Sequence, residues 1–307
     1  MGINMPIRNK MWITLLILAL TLTVTPHVRK AEAWGPNTHV WIVKRALEDA
    51  SDSPIKRIIM ENLDAFYCGL MAPDMAVIYY YTNFESYKST HSWSFYHELS
   101  KLARTDDEKA FVYGVAVHLI QDAYTHNYFI PRKIMQTQIQ NAFIHPVVEG
   151  VVETKYLTPE TMGAMTYIDK YLWMVNEATG RDWSYEAAAL KTAIAGGKFY
   201  SQAYTVPESD PLWNFYKGLA AFIGGIVDVS DSESDLEMAY QKTIEFIENG
   251  VTPPLDPSGS SALAEADARL GTTTLLLRLG FTAIVGFVIY KFVLKGDLSK
   301  LKFWRRK

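Results

Sequence analysis

The stretch FVYGVAVHLIQDAYTHNYF, residues 111–129, reads as a helix that carries ionisable groups through an apolar setting. His118, Asp122 and His126 follow one another at steps of four. At about 100° per residue these three side chains share one helix face, within about 80° of arc. Val115, Val117, Leu119 and Ile120 surround them, so the helix is expected to be buried. An ionised Asp in such a place is costly unless a cation or a hydrogen-bond network compensates it. One reading is a buried His–Asp pair in which Asp only orients the ring. The other is a set of metal ligands.

Moving outward, His145 and Glu149 repeat the i,i+4 spacing on what reads as the next helix. Two such pairs favour the metal reading, because imidazole and carboxylate are the ligands zinc takes when thiolates are absent. Cys68 is the only cysteine, which rules out an intrachain disulfide and a thiolate cluster. Asp74 follows Pro73, and His91 lies in Ser89-Thr90-His91-Ser92; each is a weak signal alone. His97, beside Glu98 on a polar stretch, reads as solvated and is left out. Tyr79, Tyr80, Tyr81, Phe84 and Trp93 either line a pocket or belong to the core.

The rest of the chain is helical in period, giving an all-α fold class. Helices are expected at Val40–Ala50, Pro54–Ala65, within Ser89–Arg104, and from a cap at Asp106 to about Phe129. More follow at Thr137–Leu157, Pro159–Ala178, Ser184–Ala203, Asp210–Val227 and Ser232–Asn249. Val77–Tyr81 is β-prone but short and reads as loop.

The two ends of the 307-residue chain carry targeting signals. Arg8, Lys10 and the apolar run Trp12–Val24 lead to Ala31-Glu32-Ala33, so 1–33 reads as a signal peptide and Trp34 as the mature N-terminus. The basic stretch His27–Lys30 leaves a retained anchor as the alternative, with the same sidedness. Leu275–Leu294 has the ~20 residues that cross a bilayer. The expected layout is a helical domain over 34–250, a Pro/Gly/Ser-rich linker over 251–271, with a short helix near Ala262–Leu270, a transmembrane helix over 272–294 and a basic cytoplasmic tail over 295–307. This places the protein in the cell membrane with its domain extracellular. The net charge of −3 gives no footprint for a stable nucleic-acid partner, and nothing sets an oligomeric state.

Trp34, His39, Asp74, His91, His118, Asp122, His126, His145 and Glu149, in that order, resemble the ligand series of the zinc-dependent phospholipase C and S1/P1 nuclease superfamily. The resemblance spans Trp34 to about Glu149. It implies a compact all-helical domain holding three zinc ions. Carried over by position, it implies one zinc at Trp34, His39 and Asp122, the first through its free amine. A second would lie at Asp74, His91, His118 and Asp122, with Asp122 bridging, and a third at His126, His145 and Glu149. Glu149 stands where the phospholipase branch has Glu and the nuclease branch has Asp. Asp122 and His126 are three residues apart, where well-known secreted members have five.

The resemblance implies a zinc-activated water attacking a phosphodiester, with Asp74 and Asp122 as the catalytic carboxylates and phospholipid as the favoured substrate. An S1/P1-like nuclease or nucleotide phosphatase is the alternative. A second alternative is a non-catalytic surface protein with structural zinc. A di-iron bundle is disfavoured because no Glu-x-x-His occurs, and an HD-type phosphohydrolase because there is no His-Asp dipeptide.

Overall fold

The computed structural model describes residues 35–79, 83–153, 164–192 and 229–270, and these hold helices and turns but no strand. All of them except Leu270 fall in one compact unit. Helix α1 spans Pro36–Asp49, starting earlier than expected because Pro36 supplies a preset φ in the first turn. The helix expected over Pro54–Ala65 is two, α2 (Pro54–Glu61) and α3 (Leu63–Met71). Asn62, at φ −136°, breaks it and returns its side-chain amide to the Ile58 carbonyl at 2.9 Å. A 3-10 helix, Ala72–Tyr79, takes up part of the segment read as loop; Tyr80 and Tyr81 lie outside the described residues. Then come α4 (Phe84–Lys88) and α5 (Trp93–Leu102).

Helix α6, Asp106–Tyr124, holds residues 111–124 of the apolar stretch, with His118 and Asp122. Its cap is Thr105, one residue before the expected Asp106, in a reciprocal capping box with Glu108. The chain does not end this helix at Phe129. It passes through a π turn, Thr125–Phe129, in which the Ile130 N–H reaches back to the Thr125 carbonyl, and continues as α7, Ile130–Thr137. Pro131 has no N–H to give to the ladder, which is where the wider turn sits. Gln138, at φ 57°, ends α7, and α8 runs from Asn141 to Glu153. The two His/carboxylate pairs are therefore separated by a helix that periodicity alone missed.

A 3-10 turn, Ala164–Tyr167, leads into α9 (Ile168–Thr179). Next come α10 (184–192), α11 (Ser232–Asn249, as expected) and α12 (Ser260–Arg269). The remaining parts of Thr137–Leu157, Pro159–Ala178 and Ser184–Ala203, and all of Asp210–Val227, lie outside the described residues. So do the signal peptide, Trp34, Leu275–Leu294 and the basic tail. Among the described residues no helix is long and apolar enough to cross a membrane.

Residues 251–269, expected as a linker, fall in the same compact unit as the helices. Pro253, Pro257, Ser258 and Gly259 are buried, and the segment is fastened to the helices. Trp93 Nε1 donates to the Leu255 carbonyl at 2.7 Å, and Asn127 Nδ2 to the Asp256 carbonyl at 2.7 Å. Composition suggested a free linker because Pro, Gly and Ser suit irregular backbone. Its partners, far away in sequence, make it a strap.

Helix α6 is the core of the fold, packed against α3, α11, α2 and α5. It meets α3 through two glycines. A Cβ on Gly69 would lie 1.8 Å from the Phe111 carbonyl oxygen, and one on Gly114 2.1 Å from that of Phe66. This backbone-to-backbone approach brings the Leu70 carbonyl within reach of His118. Gly114→Ala is expected to cost at least about 3 kcal/mol, since carbonyl groups locked in two helices cannot rotate away. Denaturant melts of the variant check this; an unchanged midpoint would contradict it.

Candidate metal centre

The elements above bring eight of the nine expected residues into three adjoining groups, all buried. They are His39, His118 and Asp122; Asp74, His91 and His118; and His126, His145 and Glu149. His39 comes from α1, Asp74 from the 3-10 helix and His91 from the turn before α5. His118 and Asp122 come from α6, His126 from the π turn, and His145 and Glu149 from α8. The ninth, Trp34, lies outside the described residues. His97 is exposed and apart from the groups, as expected.

Every gathered imidazole is held by Nδ1. His39 Nδ1 meets Gln121 Oε1 at 2.6 Å, and His118 Nδ1 meets the Leu70 carbonyl at 2.8 Å. His91 Nδ1 faces the Tyr87 carbonyl at 3.3 Å and Thr90 Oγ1 at 3.1 Å. His126 Nδ1 meets the Pro257 carbonyl at 2.7 Å, and His145 Nδ1 meets Asn141 Oδ1 at 3.0 Å. Carbonyl oxygens only accept, so these contacts put the proton on Nδ1 of His39, His91, His118 and His126 and turn the Nε2 lone pair inward, while His145 also bonds the Glu149 carboxylate through Nε2. That is the arrangement of metal-bound histidines.

Most of the inward atoms lack hydrogen-bond partners. Nε2 of His39, His91, His118 and His126, Oδ1 of Asp74 and both carboxylate oxygens of Asp122 are buried without one. Seven orphaned atoms of this kind are expensive in a metal-free core. Their spacing explains them. Ligand atoms on one tetrahedral zinc stand about 3.3 Å apart. Asp122 Oδ1 is 3.4 Å from His39 Nε2, while its Oδ2 is 3.6 Å from His91 Nε2 and 3.1 Å from His118 Nε2. Asp74 Oδ1 is 3.8 Å from His91 Nε2 and 3.7 Å from His118 Nε2. The Asp122 carboxylate thus divides itself between two groups, one oxygen to each. The third group is drawn tighter: His145 Nε2 is hydrogen-bonded to Glu149 Oε1 at 2.6 Å, closer than two ligands on one zinc would stand, and the His126 and His145 rings meet edge-on at 5.0 Å. The residues present therefore fit zinc.

The electrostatics agree. Burial alone would push His118 down, but the carboxylates of Asp122 and Asp74 outweigh it and raise the group to about 9. Burial raises Asp122, and the facing His118 and His126 more than reverse this, leaving it well below the usual carboxylate range. Burial holds His126 and His145 below the ordinary imidazole value, and so neutral. In metal-free protein the His118 proton contributes stability that is complete below the unfolded pKa of about 6.5. That contribution is lost as pH rises through about 9. Zinc must displace this proton, so its affinity rises over the same window. The gap in melting temperature between zinc-loaded and zinc-free protein is expected to widen from pH 6.5 towards 9. A constant gap across that range would contradict it.

Residue types could not announce the supporting shell. Gln121, which links His39 to Thr243 on α11 at 3.4 Å, and Asn141 carry no spacing signal. The Leu70, Tyr87 and Pro257 acceptors are backbone. Three of the aromatic residues expected in a pocket or the core have local roles: Tyr79 packs on Arg181, Phe84 stacks on Tyr87 and Trp93 bonds the strap.

Among known proteins, an uncharacterized protein of Archaeoglobus fulgidus is 32% identical over 114 residues, 36% of this chain. The match covers 31% of that relative's length. No solved structure matches. A family profile described as zinc dependent phospholipase C matches residues 38–191, half of the chain, and that span encloses all eight gathered residues. The chain belongs to the zinc-dependent phospholipase C family.

Proposed function

We propose that the protein is a trinuclear-zinc hydrolase that cleaves phosphodiester bonds of phospholipids, tethered to the membrane by Leu275–Leu294 with its domain outside. The observation that carries this reading is the divided Asp122 carboxylate, whose two oxygens face two separate histidine sets at coordination spacing. On this reading His39 and Asp122, with the Trp34 amine, hold one zinc. Asp74, His91, His118 and Asp122 hold the second, and His126, His145 and Glu149 the third. When bound, zinc supplies a Lewis acid for the phosphoryl oxygens and makes water nucleophilic near neutral pH.

The chain's own residues do the rest. His91, His118 and Asp122 are fully enclosed, whereas the Asp74 side chain keeps 10% of its surface. Asp74 is therefore the carboxylate at the open edge, placed to take the proton of the attacking water. The apolar wall of α6 keeps bulk water from the other side, which strengthens every charge interaction within. Glu149 and the tethered layout support a lipid over a nucleic-acid substrate.

The test is turnover by zinc-loaded full chain in detergent, assayed side by side on phosphatidylcholine vesicles and on single-stranded DNA. Release of diacylglycerol and phosphocholine is expected. DNA cleavage without lipid turnover would overturn the substrate assignment, and turnover of neither, with zinc bound, would leave only a structural role for the metal.

A further inference from the structure

We propose that the strap over residues 253–259 is a working part of the third metal group, with Asp256 and Gly259 as positioning residues for His126. The proposal rests on the metal reading given above. His126 leaves the chain from a π turn, outside the register that fixes His118 and Asp122, so something else must set its ring. The strap does so from two sides. The Pro257 carbonyl accepts the Nδ1 proton at 2.7 Å, which leaves Nε2 as the lone-pair nitrogen facing His145 and Glu149. The neighbouring Asn127 side chain ties the same turn to the Asp256 carbonyl at 2.7 Å.

Gly259 lets the strap come this close. A Cβ there would lie 2.3 Å from His126 Cβ and 2.6 Å from its carbonyl oxygen, and φ at +58° is a left-handed value. Asp256 holds the turn in shape. Its carboxylate accepts from the Ser258 amide at 3.1 Å, the Ser258 hydroxyl at 2.8 and 2.9 Å, and the Ser260 amide and hydroxyl at 3.2 and 2.8 Å. Those bonds aim the Pro257 carbonyl at the ring and start α12. Without them His126 can rotate or move its proton to Nε2, and the third group loses a donor.

The experiment counts zinc on the purified, zinc-reconstituted full chain by native mass spectrometry, with chelator competition to rank affinities. Wild type is compared with Asp256→Ala, Gly259→Ala and Asp256→Asn. Asp256 is exposed, so its truncation opens no core cavity, and this variant decides the matter if Gly259→Ala does not fold. In Asp256→Ala one zinc is expected to weaken about 10–100-fold, as for other partners of a ligating His, while the other two keep their affinity. Gly259→Ala should lose that zinc, and Asp256→Asn, which keeps an acceptor oxygen, should recover most of the binding. Wild-type affinities in Asp256→Ala, or equal weakening of all three zinc ions, would overturn the positioning role. A wild-type chain that binds no zinc marks a different failure, that of the metal reading itself.

Discussion

Asp122→Asn is expected to reduce zinc from three ions per chain to one and to lower phosphodiester turnover by at least about 10³-fold. The side chain is fully enclosed and nearly isosteric with its replacement, so shape is kept and charge alone is removed. Both oxygens of the carboxylate face imidazole lone pairs, one towards His39 at 3.4 Å and the other towards His118 at 3.1 Å. An amide offers one neutral oxygen and turns an N–H₂ donor onto the remaining lone pairs. Two groups therefore lose their shared anion together, while the group of His126, His145 and Glu149 contains no atom of residue 122. Elemental analysis reads this loss independently of activity. Retention of three zinc ions with wild-type turnover would contradict the bridging role.

Zinc removal should have the second largest effect. Each site held at free zinc a thousandfold above its Kd adds about 4 kcal/mol to folding stability. For a domain of this size a kcal/mol is worth about 3 °C in Tm. Stripping the metal with a chelator should therefore lower Tm by about 10 °C per site, and by more than 20 °C for three. The direction follows from the orphaned atoms: without a cation, Asp122 and its imidazoles must satisfy one another by protonating His118. Re-addition of zinc restores Tm if the loss is binding energy. A melt unchanged by chelation would leave the buried groups without their proposed partner.

The sequence already pointed to these groups, because a buried carboxylate between two histidines on an apolar helix has few affordable explanations. His118 and Asp122 showed themselves by spacing, and His39, Asp74 and His91 became legible only through the resemblance. What was hidden has a common physical cause. The π turn at Thr125–Phe129 and helix α7 arise where Pro131 interrupts the ladder, a local effect that periodicity smooths over. The break at Asn62 is likewise a single residue. The strap misled in the opposite direction: Pro257, Ser258 and Gly259 have linker composition, yet contacts with His126 and Asn127, well over a hundred residues away in sequence, bury them. Backbone acceptors such as the Leu70 carbonyl leave no mark in residue type. They depend on the Gly69–Gly114 crossing, and neither glycine could be read as a part of the site.

The most direct test of the central claim is anomalous X-ray diffraction at the zinc edge from crystals of the purified, processed protein. Two peaks are expected flanking Asp122, one beside each carboxylate oxygen, and a third among His126 Nε2, His145 Nε2 and Glu149, each within about 2.0–2.2 Å of its ligand atoms. Absence of zinc density at Asp122, with His118 and Asp122 left as a plain ion pair, would contradict it.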